Sequence, residues 1–425
     1  MSTPVASAQT PAARSAQGGK PRLLVLAQTL PYPPDAGVAI RTYNVLRLLA
    51  RSYDVTALCF YRWKGGAMQS DLAASVAALR RLGAVDAFPI PQEHSKLRLL
   101  WDHGRSLLTN RVYTHYAYDS ADFLRRLRAV LAAGRPDLVH VDSLDLVRYL
   151  PLLDGLPVIC VHHNVESVLL ARRAEAERHP LRRAYLRHQA ALTERTERDW
   201  SGRVALNICV SEPDAAVLRG IAPRAKTFVV PNGVDVELFQ PAAPGSEGLV
   251  FVGGTTWFPN LDALQFFCQD ILPAIRTRHP GVPVTWVGRA SASERELFRH
   301  QYGVELTGYV TDIRPFVQRA ACYVVPLRVG GGTRLKILDA WALGMPLVST
   351  TVGAEGLDAR DGENILLRDD AAGFAEAVCR LLENEGLRRR LSERARATAV
   401  ETYSWEVIGR DMIPAYQTVL EGARA

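Results

Sequence analysis

The residues best suited to chemistry lie between positions 324 and 357, VVPLRVGGGTRLKILDAWALGMPLVSTTVGAEGL. An apolar run that reads as a strand ends at Leu327. Three glycines follow at Gly330, Gly331 and Gly332, and a helix is expected from about Thr333. The first amides of a helix have no partner within it and carry partial positive charge, so they attract anions. Glycines let an anion approach that backbone closely. Arg334 and Lys336 add two full cations in the first turn, where positive charge opposes the helix dipole. A bound diphosphate relieves that conflict, and we read the pair as the charge that holds one; ordinary solvated cations are the alternative. Asp339 stands on the same helix, able to accept from a sugar hydroxyl or to pair with Lys336 at i, i+3.

A second set lies in the first half of the chain. His163 ends the apolar run PVICVHH and opens HNVE. A histidine at a strand end can hydrogen-bond a sugar hydroxyl or a phosphate, whereas His162 should point the opposite way along the strand. Asn164 and Glu166 come next, and Glu166 equally suits the start of the following helix. His140 and Asp142, in LVHVDS, either rim the same cleft or are buried polar groups held by backbone hydrogen bonds. PYPPDAGVAIRTYN (31–44) is a Pro- and Gly-rich loop entering a helix, with Gly37 giving backbone access and Arg41 one turn inside; a simple strand-to-helix turn explains it as well.

These residues need a scaffold of alternating strands and helices, and the hydropathy pattern supplies one. RLLVLAQ (22–28), DVTALCF (54–60), LVHVDS (138–143), PVICVHH (157–163), ALNICVS (205–211) and KTFVVP (226–231) read as buried parallel strands. Helical stretches lie between them, among them 41–51, 71–82 and 120–133. A Pro- and Gly-rich segment, 231–248, reads as a linker. The alternation then restarts with LVFVGG (249–254), VPVTWVG (282–288), VELTGYV (304–310), ACYVVPL (321–327), MPLVSTT (345–351) and NILLRD (364–369). The expectation is an α/β protein of two doubly wound domains, 20–230 and 249–405, with ligands at the C-terminal ends of the strands. Residues 402–421 have apolar spacing that lets a last helix (406–425) dock back and complete the first domain.

Composition sets the outer limits. The 425 residues suit two domains, and 48 % apolar with 22 % charged side chains exclude a collagen or a mostly disordered chain. With 51 basic and 44 acidic residues the formal charge is +7, well mixed and without a nucleic-acid-binding signature. The six cysteines are scattered inside apolar runs and read as reduced core residues of a cytoplasmic protein. Residues 1–19 are small and polar and read as a floppy tail, and no apolar run is long enough to span a membrane.

At this point the order of motifs resembles a known family. HHNVES (162–167), VSEPD (210–214), PNGVD (231–235), VFVGGTTWFPN (250–260), LTGYVTDIRPF (306–316), the GGGT loop with GAEGL downstream, and the closing YSW resemble the retaining nucleotide-sugar glycosyltransferases of family 4 and group 1. The resemblance runs from about Arg22 to Tyr416. It implies the GT-B fold, two Rossmann-like domains facing a central cleft, with donor mostly in the C-terminal domain and acceptor mostly in the N-terminal one. It implies transfer of a sugar from a nucleoside-diphosphate-sugar to a hydroxyl of a saccharide or lipid-linked acceptor, with retention, no cofactor and as a rule no bound metal. Exopolysaccharide-type transferases are the nearest in character.

On this resemblance the donor-facing positions are Gly37, Gly253, Gly254, Thr255, Arg289, Tyr309, Val310, Gly330, Gly331, Gly332, Thr333 and Asp339, with His163, Arg334 and Lys336 at the reactive centre. Arg41, Asn164 and Glu166 fall on the acceptor side. The sequence departs from the family pattern in two places. Of two glutamates seven residues apart, Gly331 stands for the first and Asp339 for the second. The usual Arg and Lys after the first strand of the C-terminal domain are replaced by Gly254 and Pro259, which leaves Arg334 and Lys336 to supply the charge on the diphosphate. Basic, leucine-rich stretches at 96–111 and 172–187 add an anionic membrane surface to the expected partners, as a peripheral contact. A sugar epimerase of the same fold and a scaffold that binds nucleotide-sugar without catalysis are the alternative readings.

Overall fold

The computed structural model describes residues 19–35, 37–62, 72–241, 245, 248–330 and 335–424. The expected tail up to residue 18 and the loop residues Gly331, Gly332, Thr333 and Arg334 lie outside them. The chain divides into two compact units, Met1–Cys209 with Ala215–Val229 and Gly409–Ala425, and Val210–Asp214 with Val230–Ile408.

The first unit is built on a seven-stranded parallel sheet. Its strands are β1 (Arg22–Ala27), β2 (Asp54–Tyr61), β3 (Ala84–Pro89), β4 (Leu138–Val141), β5 (Val158–His162), β6 (Leu206–Cys209) and β7 (Thr227–Val229), in the order β3-β2-β1-β4-β5-β6-β7. Central strands such as β1 and β4 are apolar along nearly their whole length because helices cover both faces of the sheet. Phe60 and Phe123 stack 4.5 Å apart in the core beneath it. β3, AVDAFP, has no strand-like run in the sequence. It lies at the sheet edge, where Asp86 and Pro89 need satisfy only one neighbour. The helices that matter for function here are α1 (Gly37–Leu49), α2 (Lys96–Thr109), α3 (Glu166–Ala176) and α4 (Pro180–Ser201).

The second unit carries a six-stranded parallel sheet in the order β10-β9-β8-β11-β12-β13. The strands are β8 (Leu249–Val252), β9 (Val284–Val287), β10 (Val304–Leu306), β11 (Cys322–Val325), β12 (Leu347–Ser349) and β13 (Leu366–Leu367). Three helices border its candidate site: α5 (Phe258–Phe266), α6 (Ala292–Tyr302) and α7 (Leu335–Ala342). α6 starts with a capping box, Ser291 and Glu294 each bonding the other's backbone amide, and stops at Gly303, whose φ of +59° favours glycine. Both sheets are Rossmann-like, with a strand order that reverses beside β1 and beside β8.

The segment expected as a linker is fastened to the second unit over much of its length. The Val234 amide donates to the Tyr403 carbonyl at 2.8 Å, and the Arg396 guanidinium donates to the carbonyls of Val236 and Phe239. The last helix, α8 (Trp405–Gly422), begins in the second unit and belongs to the first from Gly409 onward. All six cysteines are buried and free. Among the described residues no helix is long and apolar enough to cross a membrane.

Candidate functional site

In the second unit the chain leaves β8 through Gly253, Gly254 and Thr255, beside Gly288 and Arg289 at the end of β9. The Thr255 amide donates to the Arg289 carbonyl at 2.8 Å, and its hydroxyl reaches Glu294 Oε2 at 3.2 Å. Gly288 has a φ of +146°, and a Cβ there would stand 2.6 Å from the Gly254 nitrogen, so the two strand ends can lie this close only without a side chain. Arg289 is exposed and its guanidinium lies 4.8 Å from the ring centre of Tyr309, which is itself half exposed. Val310 turns inward against the core.

α7 delivers Lys336 to the same end of the sheet. Lys336 Nζ donates to Asn260 Oδ1 at 2.7 Å and sits 4.1 Å above the ring of Phe251. The Asn260 amide in turn donates to the Gly254 carbonyl at 2.9 Å. A lysine, an asparagine and the glycine turn are thus tied in one chain. Pro259, where the family resemblance places a lysine, occupies the first turn of α5, where a missing N–H costs nothing. The positive charge therefore comes to this spot from α7. Asp339, one turn further along α7, keeps some accessible surface, yet burial pushes its carboxyl pKa up to about 7. Gly330 is buried at the edge of the loop. Arg328, which the sequence pattern did not single out, is held by Asp262 at 2.7 Å and over Phe266.

The first unit gathers a different cluster at the C-terminal ends of β4 and β5. Asp142 is its centre. Thr42 of α1 donates to Asp142 Oδ2 at 2.8 Å, and His140 Nε2 lies 3.4 Å from Oδ1. His163 Nε2 lies 3.4 Å from Asp142 Oδ2, within ion-pair range but not aligned as a hydrogen bond. Burial alone would raise the Asp142 pKa, but the charge of His163 and the hydrogen bond from His140 hold its carboxyl well below the usual range. Arg41 is buried, and desolvation lowers its pKa to about 10 against the attraction of Asp142 and Tyr416. His140 Nδ1 is 2.7 Å from the Tyr416 hydroxyl of α8.

His162 faces the other way, as strand alternation requires, and bonds Asn207 at 3.0 Å; burial lowers its pKa to about 4. Asn164 donates to Glu166 Oε1 at 3.1 Å at the start of α3, so these two are joined to each other locally. Gly37 is exposed at the first position of α1. Among the described residues no three His, Cys, Asp or Glu side chains are grouped to hold a metal ion.

Comparison with known proteins gives this geometry a family. The model described as glycosyl transferases group 1 matches residues 246–384, and the model described as glycosyltransferase family 4 matches 36–238. The chain belongs to the group 1 and family 4 glycosyltransferases. Among similar proteins, the phosphatidyl-myo-inositol mannosyltransferase of Mycobacterium leprae is 29 % identical over 205 residues, 45 % of this chain and 53 % of that protein. The lipopolysaccharide core biosynthesis glycosyltransferase LpsE of Rhizobium meliloti is 38 % identical over 112 residues, 25 % of this chain and 31 % of its own. The chain thus spans about half the length, or less, of these curated relatives. The crystal structure of Anabaena HepE in complex with UDP matches at a TM-score of 0.65 and 15 % identity, over 93 % of this chain and all of that one. Sucrose-phosphate synthase from Thermosynechococcus elongatus matches at 0.70 and 16 %, over 94 % and 100 %. These structures fix the fold as GT-B.

The sequence singled out Lys336, His163 and Asp142, but not the Asn260 and Thr42 side chains that bond Lys336 and Asp142. Asn260 was legible only as the last letter of the WFPN motif. Thr42 and Tyr416 gave no signal, because a buried polar partner is chosen by the fold and not by its neighbours in sequence.

Proposed function

We propose that this chain is a retaining glycosyltransferase that moves a sugar from a nucleoside-diphosphate-sugar to a hydroxyl of a saccharide or lipid-linked acceptor. The observation that carries the reading is the Lys336–Asn260–Gly254 constellation at the strand ends of the second unit, in a chain of this family. In this reading Lys336, with Arg334 and the amides around Gly330, Gly331, Gly332 and Thr333, holds the diphosphate and stabilises the charge it gains on leaving. The exposed Arg289–Tyr309 stack and the backbone at Val310 provide a platform for the base, and Gly253, Gly254 and Thr255 line the approach to the phosphates. Asp339 accepts from the ribose.

Bond formation from the acceptor oxygen to the sugar's anomeric carbon accompanies cleavage of the carbon–phosphate oxygen bond on the same face. The acceptor's proton passes to the departing phosphate oxygen, so no separate base is required and no metal is invoked. His163, backed by Asp142, orients a sugar hydroxyl. Arg41 is buried beside Asp142, so its part is to hold the charge of that cluster, while Asn164, Glu166 and the Gly37 turn meet the acceptor. The mycobacterial relative, a phosphatidyl-myo-inositol mannosyltransferase, and the rhizobial one, a lipopolysaccharide core biosynthesis glycosyltransferase, support a lipid-linked or glycoconjugate acceptor.

The test is thermal unfolding with UDP, GDP, ADP and NAD, each with and without EDTA, on the wild type and on Lys336→Ala. A ligand at about 100 times its dissociation constant should add about 2.7 kcal/mol. The expected result is a shift by one nucleoside diphosphate that survives EDTA and is lost in the variant. A shift by NAD alone would remove the transferase reading. Nucleotide release from the sugar donor without any acceptor, giving an epimerised sugar, would favour the epimerase.

A further inference from the structure

α2 is packed inside out. Helices on the surface of a soluble protein turn their apolar stripe inward and their charges outward. Here Leu97, Leu100, Trp101, Leu107 and Leu108 are 80, 69, 62, 52 and 84 % exposed, while Asp102 and Ser106 are fully buried. At about 100° per residue the five large side chains share an arc of roughly 120°, with Gly104 in its middle. Inward, Ser106 Oγ donates to the Arg111 carbonyl at 2.7 Å and accepts from Gln189 at 2.8 Å. The arrangement is fixed at both ends, by Ser95 capping the Arg98 amide and by the left-handed Asn110. The neighbouring helix α4 is tied on through Tyr185, whose hydroxyl bonds His103, and it carries Leu181, also largely exposed, one turn earlier.

The charges around the arc have one sign. Lys96 and Arg105 flank it, Arg111 follows just beyond the helix, and the only acid of the helix, Asp102, is turned inward beside Arg98 at 3.7 Å. A second copy docking by the same face would bring these cations against each other, which opposes a symmetric contact. Fourteen residues span about 21 Å, too short to cross a bilayer but the right form for a helix lying in its surface. Tryptophan is favoured at that depth.

We propose that α2 is an interfacial helix that binds an anionic lipid surface, with Leu97, Leu100, Trp101 and Leu108 in the acyl boundary and Lys96 and Arg105 among the headgroups. This deepens the function proposed above by naming the surface on which a lipid-linked acceptor is met, but its test does not require turnover. The full chain is mixed with phosphatidylcholine vesicles with and without phosphatidylglycerol, and with brominated lipid as a tryptophan quencher. The wild type should sediment with the anionic vesicles, bind pure phosphatidylcholine more weakly, and be released in part by salt. Brominated lipid should quench its emission, and Trp101→Phe should lose that quenching while still bound. Leu97→Asp/Leu100→Asp, at exposed positions that leave the fold intact, should partition at least about tenfold more weakly and keep its thermal shift with nucleotide. No binding by the wild type overturns the proposal, and so does equal binding by the double variant. A dimer in sedimentation velocity that the double variant breaks, without lipid binding, assigns the face to a second copy instead. Loss of the nucleotide shift in the wild type would count against the proposed function alone.

Discussion

Asp142 is a buried carboxylate and Asp339 a half-buried one, and their surroundings drive them in opposite directions. Asp142 is surrounded by histidines, a threonine and an arginine and stays ionised. Asp339 has its pKa pushed up to about 7 by burial alone. For such a raised carboxyl, folding stability is complete below the unfolded value, near 4, and is lost as pH rises through about 7. Asp339→Asn cannot ionise, so at pH 8 the variant should be more stable than the wild type by about 1–3 kcal/mol, a figure reduced for the residue's partial exposure. At pH 4 the difference should vanish. Urea unfolding at the two values checks this, and an equal effect at both would show that ionisation is not the cause. In its proposed role Asp339 accepts from a ribose hydroxyl in its charged form, so a nucleoside diphosphate bound there should bind more tightly above pH 7 than below it.

At the scale of elements, twelve of the thirteen strands among the described residues stand where apolar runs appear in the sequence, because a parallel sheet covered on both faces needs nearly unbroken hydrophobic strands. β3 escaped because an edge strand is relieved of that need. The site was legible to the extent that glycines and cations mark backbone approach and charge. It was illegible where function depends on a partner remote in sequence, as with Lys336 and Asn260, 76 residues apart. The glycines after β8 and β9 carry a further lesson. Gly254 and Gly288 are explained by the contact between two strand ends, whatever ligand lies beyond. Gly288→Ala should cost about 2–3 kcal/mol through backbone strain and the clash with Gly254. The drop should appear equally with and without nucleotide if the glycine serves packing, and grow in its presence if it also makes room for phosphate.

On the scale of the whole chain, the last helix is the unusual feature. Met412, Tyr416 and Leu420 of α8 are buried, and each contributes on the order of 1.5–3 kcal/mol. Gly409 lies against Leu48 of α1, where a Cβ would come within 2.9 Å. Removing residues from Arg410 onward should therefore loosen the first unit while leaving the sheet of the second in place. Hydrogen exchange should show faster exchange in α1 and β4 and little change in β8 and β11. Uniform loosening of both units would mean that α8 stabilises the chain in some other way.

The place of Tyr416 also sets a timetable. It bonds His140 from 276 residues further along the chain. At about 5–20 residues per second the ribosome needs roughly 15–55 s to go from one to the other. Throughout that interval the nascent first unit lacks a wall, and the cluster around Asp142 cannot be complete. The first unit thus waits for α8, and any pause in translating the second unit prolongs the time for which a sheet with all its strands but without that helix is open to chaperones, proteases and its own neighbours.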